Sequence, residues 1–185
     1  MTRIFSAALA LTLFFSANAF ASYHSELKKV TQSSRMYSGT EFDAEMIAQA
    51  TLFTEKFRKS FAEKHIAVEH LDATEAARFF AEQMKKQTDV TEVTLFLYTK
   101  KDYKKVSLGD DSFWKFRLEL PSGETLKPSN VELLPSSPYL AVMYPDSNRW
   151  SNAYRVTFPK QDLHGKVKLH LQSVVGESTL SWNVK

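Results

Sequence analysis

From Thr91 onward the apolar side chains recur at every second position within a series of short runs. That period restricts the C-terminal half to strands with one buried face each. Val93, Leu95 and Leu97 alternate with Thr94, Phe96 and Tyr98. Trp114, Phe116, Leu118 and Leu120 alternate with Lys115, Arg117 and Glu119. Tyr154, Val156 and Phe158 form a third such run, Val167, Leu169 and Leu171 a fourth, and Leu180, Trp182 and Val184 a fifth. Shorter candidates are 130–134 and 139–144, divided by Pro135-Ser136-Ser137-Pro138. Pro121-Ser122-Gly123-Glu124 and Val175-Gly176-Glu177 supply turns. About seven short strands at near-regular spacing predict an antiparallel β-sandwich of Ig-like type over 90–185. Their alternation makes Trp114 and Trp182 core residues.

Before Thr91 the pattern changes. Phe42, Met46, Ala50, Phe53, Phe57 and Phe61 lie four, four, three, four and four apart, which is one face of a helix. Thr40 and Asp43 give it a loose capping box, and the stripe predicts a helix from Thr40 to about Lys64. Residues 65–71 read as a connector. Asp72 then caps a second helix with Glu75 three positions on; Ala76, Phe80 and Met84 share its apolar face, and Lys85 and Lys86 suit the negative end of its dipole. The expectation is an α+β chain: a helical hairpin over 40–88 followed by the sandwich. Residues 22–39, polar and without period, read as a flexible leader.

The first 21 residues have a different character. Arg3 precedes the uncharged, mostly apolar run Ile4–Phe15, and the small residues Ala17, Ala19 and Ala21 follow. This order is that of a cleavable secretory signal, with cleavage after Ala19 or Ala21. The run is shorter than the roughly 20 residues needed to span a bilayer. No Cys follows it, so no lipid anchor is expected, and no later stretch reads as a transmembrane anchor. The expected location is the periplasm or the exterior of a bacterial cell, and the expected mature chain is a soluble protein of about 164 residues, enough for one domain with a helical addition.

The chain of 185 residues contains no cysteine, which removes disulfides, thiol catalysis and Cys-based metal sites. Its net charge is +3, and the Lys residues are interspersed with acids rather than gathered in a stripe, so nucleic-acid binding is not expected. His65 and His70 are five apart, where a helical zinc pair is four apart, and no metal site or cofactor is expected. The sequence lacks a G-x-S-x-G elbow and phosphate-binding glycine motifs. Asp110 and Asp111 are the one close pair of acids in an expected loop; with a His, they are the basis for an alternative reading as a hydrolase or metal-dependent enzyme whose site is assembled from loops.

The densest unusual segment is aromatic, residues 139–159. Pro145-Asp146-Ser147-Asn148 is a strong turn signal and places Arg149 and Trp150 near a loop tip. Trp and Arg together are the composition of binding hot spots. Arg149, Trp150, Tyr144 and Tyr154 are therefore the candidate binding residues. The functional expectation is a non-catalytic binding module of the cell envelope whose partner is another envelope or secreted protein.

Overall fold

The computed structural model describes residues 22–37, 44–100, 113–174 and 176–185. The expected signal segment and the acid pair Asp110 and Asp111 lie outside the described residues, as do Thr40 and Phe42 of the expected first helix.

The described chain is a mixture of helix and sheet. Helix α1 covers 22–30. Strands β1 (Thr31–Tyr37) and β2 (Ala44–Leu52) come next, then helices α2 (Glu55–Val68) and α3 (Ala73–Asp89) and strand β3 (Val90–Thr99). From residue 113 on come β4 (Trp114–Glu119), β5 (Thr125–Leu126), β6 (Asn130–Leu134), helix α4 (Pro138–Met143), β7 (Asn152–Pro159), β8 (Gly165–Ser173) and β9 (Gly176–Val184).

The chain divides into two units, one holding 54–87 with the segment before Val30, the other holding 30–53 and 88–185. The second unit is sandwich-like. One antiparallel sheet has the order β1-β2-β3-β7-β6 and the other β5-β4-β8-β9. Alternation decides which side chains lie between them. Val93, Leu95, Trp114, Phe116, Leu118, Val156, Phe158, Val167, Leu169 and Leu171 are all buried in one core, with Leu180 and Trp182. Fully burying such a side chain contributes about 1.5–3 kcal/mol. The Trp182 indole N–H also donates to the Val30 carbonyl at 2.7 Å, which seats the start of β1 against β9.

Three expectations are corrected. Residues 44–52 form a strand, not the first half of a helix. Met46 and Ala50 are four apart, a spacing that serves a helical face and equally the same face of a strand. Ala48 and Leu52 settle the matter: with Met46 and Ala50 they are at most 1% exposed, which is period two. β2 then pairs on both sides, Ala48 with Ser34 and with Leu97. The helix begins later, where the Thr54 hydroxyl accepts from the Phe57 amide at 3.3 Å.

The second correction concerns 22–39. Residues 22–30 are helical, with Tyr23 and Leu27 buried one turn apart, and Thr31–Tyr37 is an edge strand. Its polar sequence, TQSSRMY, carries little alternation because an edge strand is held mainly by its backbone ladder to β2. The sandwich therefore recruits two strands from before residue 53, and its start is not at residue 90. The third correction is 139–144, expected as a strand. Residues 139–143 lie in α4, which Tyr144 closes; Ser137 caps the Leu140 amide and Pro138 occupies the first turn.

Within the helical unit, Tyr23 packs on Phe57 with ring centroids 5.7 Å apart. Arg58 on α2 donates from Nη1 to the Gln83 carboxamide oxygen on α3 at 3.2 Å and from Nε to that of Gln87 at 3.0 Å. His65 stacks on Phe79 at 3.9 Å. On α3 the Asp72 carboxylate caps the Thr74 and Glu75 amides while Glu75 reaches back to the Asp72 amide. Among the described residues, no helix is long and apolar enough to cross a membrane.

Candidate functional site

Strands β6 and β7 are joined by a long connection that holds α4 and then a tight turn. The turn is fixed by its own polar groups. The Ser147 amide and hydroxyl both donate to the Tyr144 carbonyl, at 3.0 and 2.7 Å. The Trp150 amide donates to the Asn148 side-chain oxygen at 2.9 Å, and the Ser151 amide to the Asn148 carbonyl at 2.9 Å. Asn at this position forms a side-chain turn of its own, which explains how a short polar sequence holds one shape. The result is an ordered tip with Trp150 61% exposed and the Arg149 guanidinium 4.8 Å from the indole centroid. Stacking of this kind is worth about 0.5–1 kcal/mol at an exposed site and limits the freedom of both side chains before any contact is made. Leu133 on β6 and Val142 on α4 are also exposed, so this edge of the sheet carries three of the large apolar side chains that the described surface presents.

The other two candidate residues lie inside. Tyr144 is 3% exposed; its hydroxyl donates to Thr94 at 3.1 Å, and its ring meets Phe96 edge-on at 5.1 Å. Burial pushes its phenol well above the usual range. Tyr154 is buried in the sandwich core, where its hydroxyl accepts from the Asn152 amide group at 3.3 Å, and burial again raises the phenol. Thus Arg149 and Trp150 come together at the surface, whereas Tyr144 and Tyr154 anchor the connection from below. On β7 itself Arg155 pairs with Glu132 of β6 at 2.8 Å and approaches Glu92 of β3 at 3.9 Å.

The histidines disperse. Burial holds the His65 imidazole below its usual range, with Glu69 opposing weakly. His70 sits at φ 53° after α2, and His164 faces Asp162 at 3.2 Å on an exposed loop. Among the described residues, no three His, Asp or Glu side chains converge as metal ligands. One grouping escaped sequence reasoning altogether. Glu119, Lys168, His170 and Thr179, from three strands, meet on the outer face of the four-stranded sheet. Alternation places each of them outward, but only the strand register brings them together.

No protein-family pattern and no curated protein matches this chain. Among solved structures, the amylomaltase of Corynebacterium glutamicum aligns at 13% identity over 91% of this chain, with a TM-score of 0.24. The chain spans 22% of that enzyme's length. A score so low carries no argument about fold or activity.

Proposed function

We propose that this chain is an exported, soluble, non-catalytic binding module of the bacterial cell envelope, working in the periplasm or outside the cell. It holds another envelope or secreted protein through the Arg149–Trp150 turn. The observation that carries the reading is the exposed indole of Trp150, stacked under Arg149 on a turn already fixed by hydrogen bonds. A large aromatic side chain left in water without a packing role has its apolar area available to a partner, and pre-ordering lowers the entropy cost of contact. Export is supported by the order of charge, apolar run and small residues over 1–21. The same reading takes the sandwich as Ig-like and the α2–α3 pair as a helical hairpin.

Trp150→Ala tests it. Wild-type and variant mature chains are immobilised at equal amounts and exposed to a solubilised envelope fraction. A protein retained by the wild type and lost by the variant, with an unchanged thermal midpoint, supports the reading. Equal retention removes it.

A further inference from the structure

On the outer face of the four-stranded sheet, register sets Thr179 of β9 directly opposite His170 of β8, and Glu119 of β4 opposite Lys168. Glu119 is therefore the diagonal neighbour of His170. The His170 Nδ1 lies 3.0 Å from the Thr179 hydroxyl, and its Nε2 lies 2.7 Å from a Glu119 carboxylate oxygen. The Lys168 ammonium occupies the other oxygen. Both distances fall in the range of about 2.6–3.2 Å that joins a nucleophile, its base and the group orienting that base.

The proton positions follow from the partners. Lys168, and after it His170, hold the Glu119 carboxyl below its usual range, so at neutral pH it is an anion that only accepts. The neutral imidazole then carries its proton on Nε2. Nδ1 is left with a lone pair, and Thr179 must donate to it. Thr179 is exposed on an edge strand of its sheet, so a donor molecule can reach it.

We propose that Thr179 is an acyl-acceptor hydroxyl, modified once per chain by an activated ester, with His170 as general base and Glu119 as a positioning residue. The Thr179 oxygen attacks the ester carbonyl as His170 Nδ1 takes the hydroxyl proton. A bond forms from Oγ1 to the carbonyl carbon, the bond to the leaving oxygen breaks, and His170 returns the proton to that oxygen. The central strands β4 and β8 spend their backbone amides on the sheet, and the proposal invokes no backbone cradle for an oxyanion. Base catalysis alone is worth roughly 10²–10⁴-fold. It suffices for a donor with a good leaving group and not for hydrolysis of the alkyl ester left on threonine, so the adduct accumulates. This makes a modification site rather than a turnover site, compatible with a binding role elsewhere on the chain.

The test uses the folded mature chain and p-nitrophenyl acetate, with peptide mapping of the product. The expected result is one acetyl group on Thr179, absent in Thr179→Val and formed about 100-fold or more slowly in His170→Gln. Glu119→Gln should move the pH profile of acetylation in the folded protein at neutral pH. Arg117, Lys168 and Glu177 share this face and stay in place in every variant. Acetyl groups confined to lysines, an equal rate in His170→Gln, or an unmoved pH profile in Glu119→Gln would overturn the proposal.

Discussion

Replacing Trp182 with Phe tests whether the stretch from residue 22 is anchored structure or loose leader. Trp182 is 4% exposed, and its indole N–H donates to the buried Val30 carbonyl at 2.7 Å. Phe keeps an aromatic ring but has no donor. The carbonyl left unpaired costs about 1–3 kcal/mol. The smaller ring leaves a gap on the order of 40 Å³, which at about 24 cal/mol per Å³ adds about 1 kcal/mol. The expected loss is therefore about 2–4 kcal/mol. At about 2–4 °C per kcal/mol for a chain of this size, the thermal midpoint falls by roughly 5–15 °C. Denaturant titration gives the free energy directly. Limited proteolysis gives the location, because Lys28 and Lys29 lie just before Val30 and should become cleavable first in the variant. A loss below about 0.5 kcal/mol, with these lysines cut equally fast in the wild type, would refute the reasoning and return 22–39 to a flexible leader.

Leu95→Ala, at a fully buried position between the sheets, should cost about 2–5 kcal/mol by chemical denaturation, and a loss under about 1 kcal/mol would contradict the shared core. Gly165 opens β8 at φ 86°, and an added Cβ meets only ordinary contact with Pro121; Gly165→Ala should therefore cost about 1–2 kcal/mol from backbone strain alone, read as a lowered denaturation midpoint. Lys168 and His170 lower the folded-state pKa of Glu119, so its contribution is complete above the ordinary carboxylate value of 4.5 and is lost as pH falls through the lower folded value. The stability gap between wild type and Glu119→Gln should accordingly be constant near neutrality and shrink in acid; a gap independent of pH would oppose this. Trp150→Ala should leave stability within about 0.5 kcal/mol, and a fall of several degrees in the thermal midpoint would make Trp150 a packing residue.

The sandwich was legible wherever alternation was long. Val93–Leu97, Trp114–Leu120 and Val167–Leu171 announce strands because each must bury one face and wet the other. It was illegible where two periods coincide. Met46 and Ala50 satisfy a helix and a strand alike, and the true helical stripe of Phe57 and Phe61 lay just beyond, inviting one long helix across both. β1 was hidden for a different reason, since a polar edge strand records its partner in the backbone rather than in side chains. Of the four candidate binding residues, the turn signal at 145–148 correctly placed Arg149 and Trp150 on a tip. Composition could not distinguish them from Tyr144 and Tyr154, whose hydroxyls find partners inside the fold. The Glu119–His170–Thr179 chain needed register, which a single sequence does not supply.

The most direct test of the binding role places a photo-crosslinking side chain at residue 150 in living cells, with a second variant carrying it at Val174, which is 79% exposed on the β8–β9 hairpin. The account predicts a discrete crosslinked envelope protein from position 150 and none from position 174. No adduct at 150, or the same adducts from both positions, would contradict it.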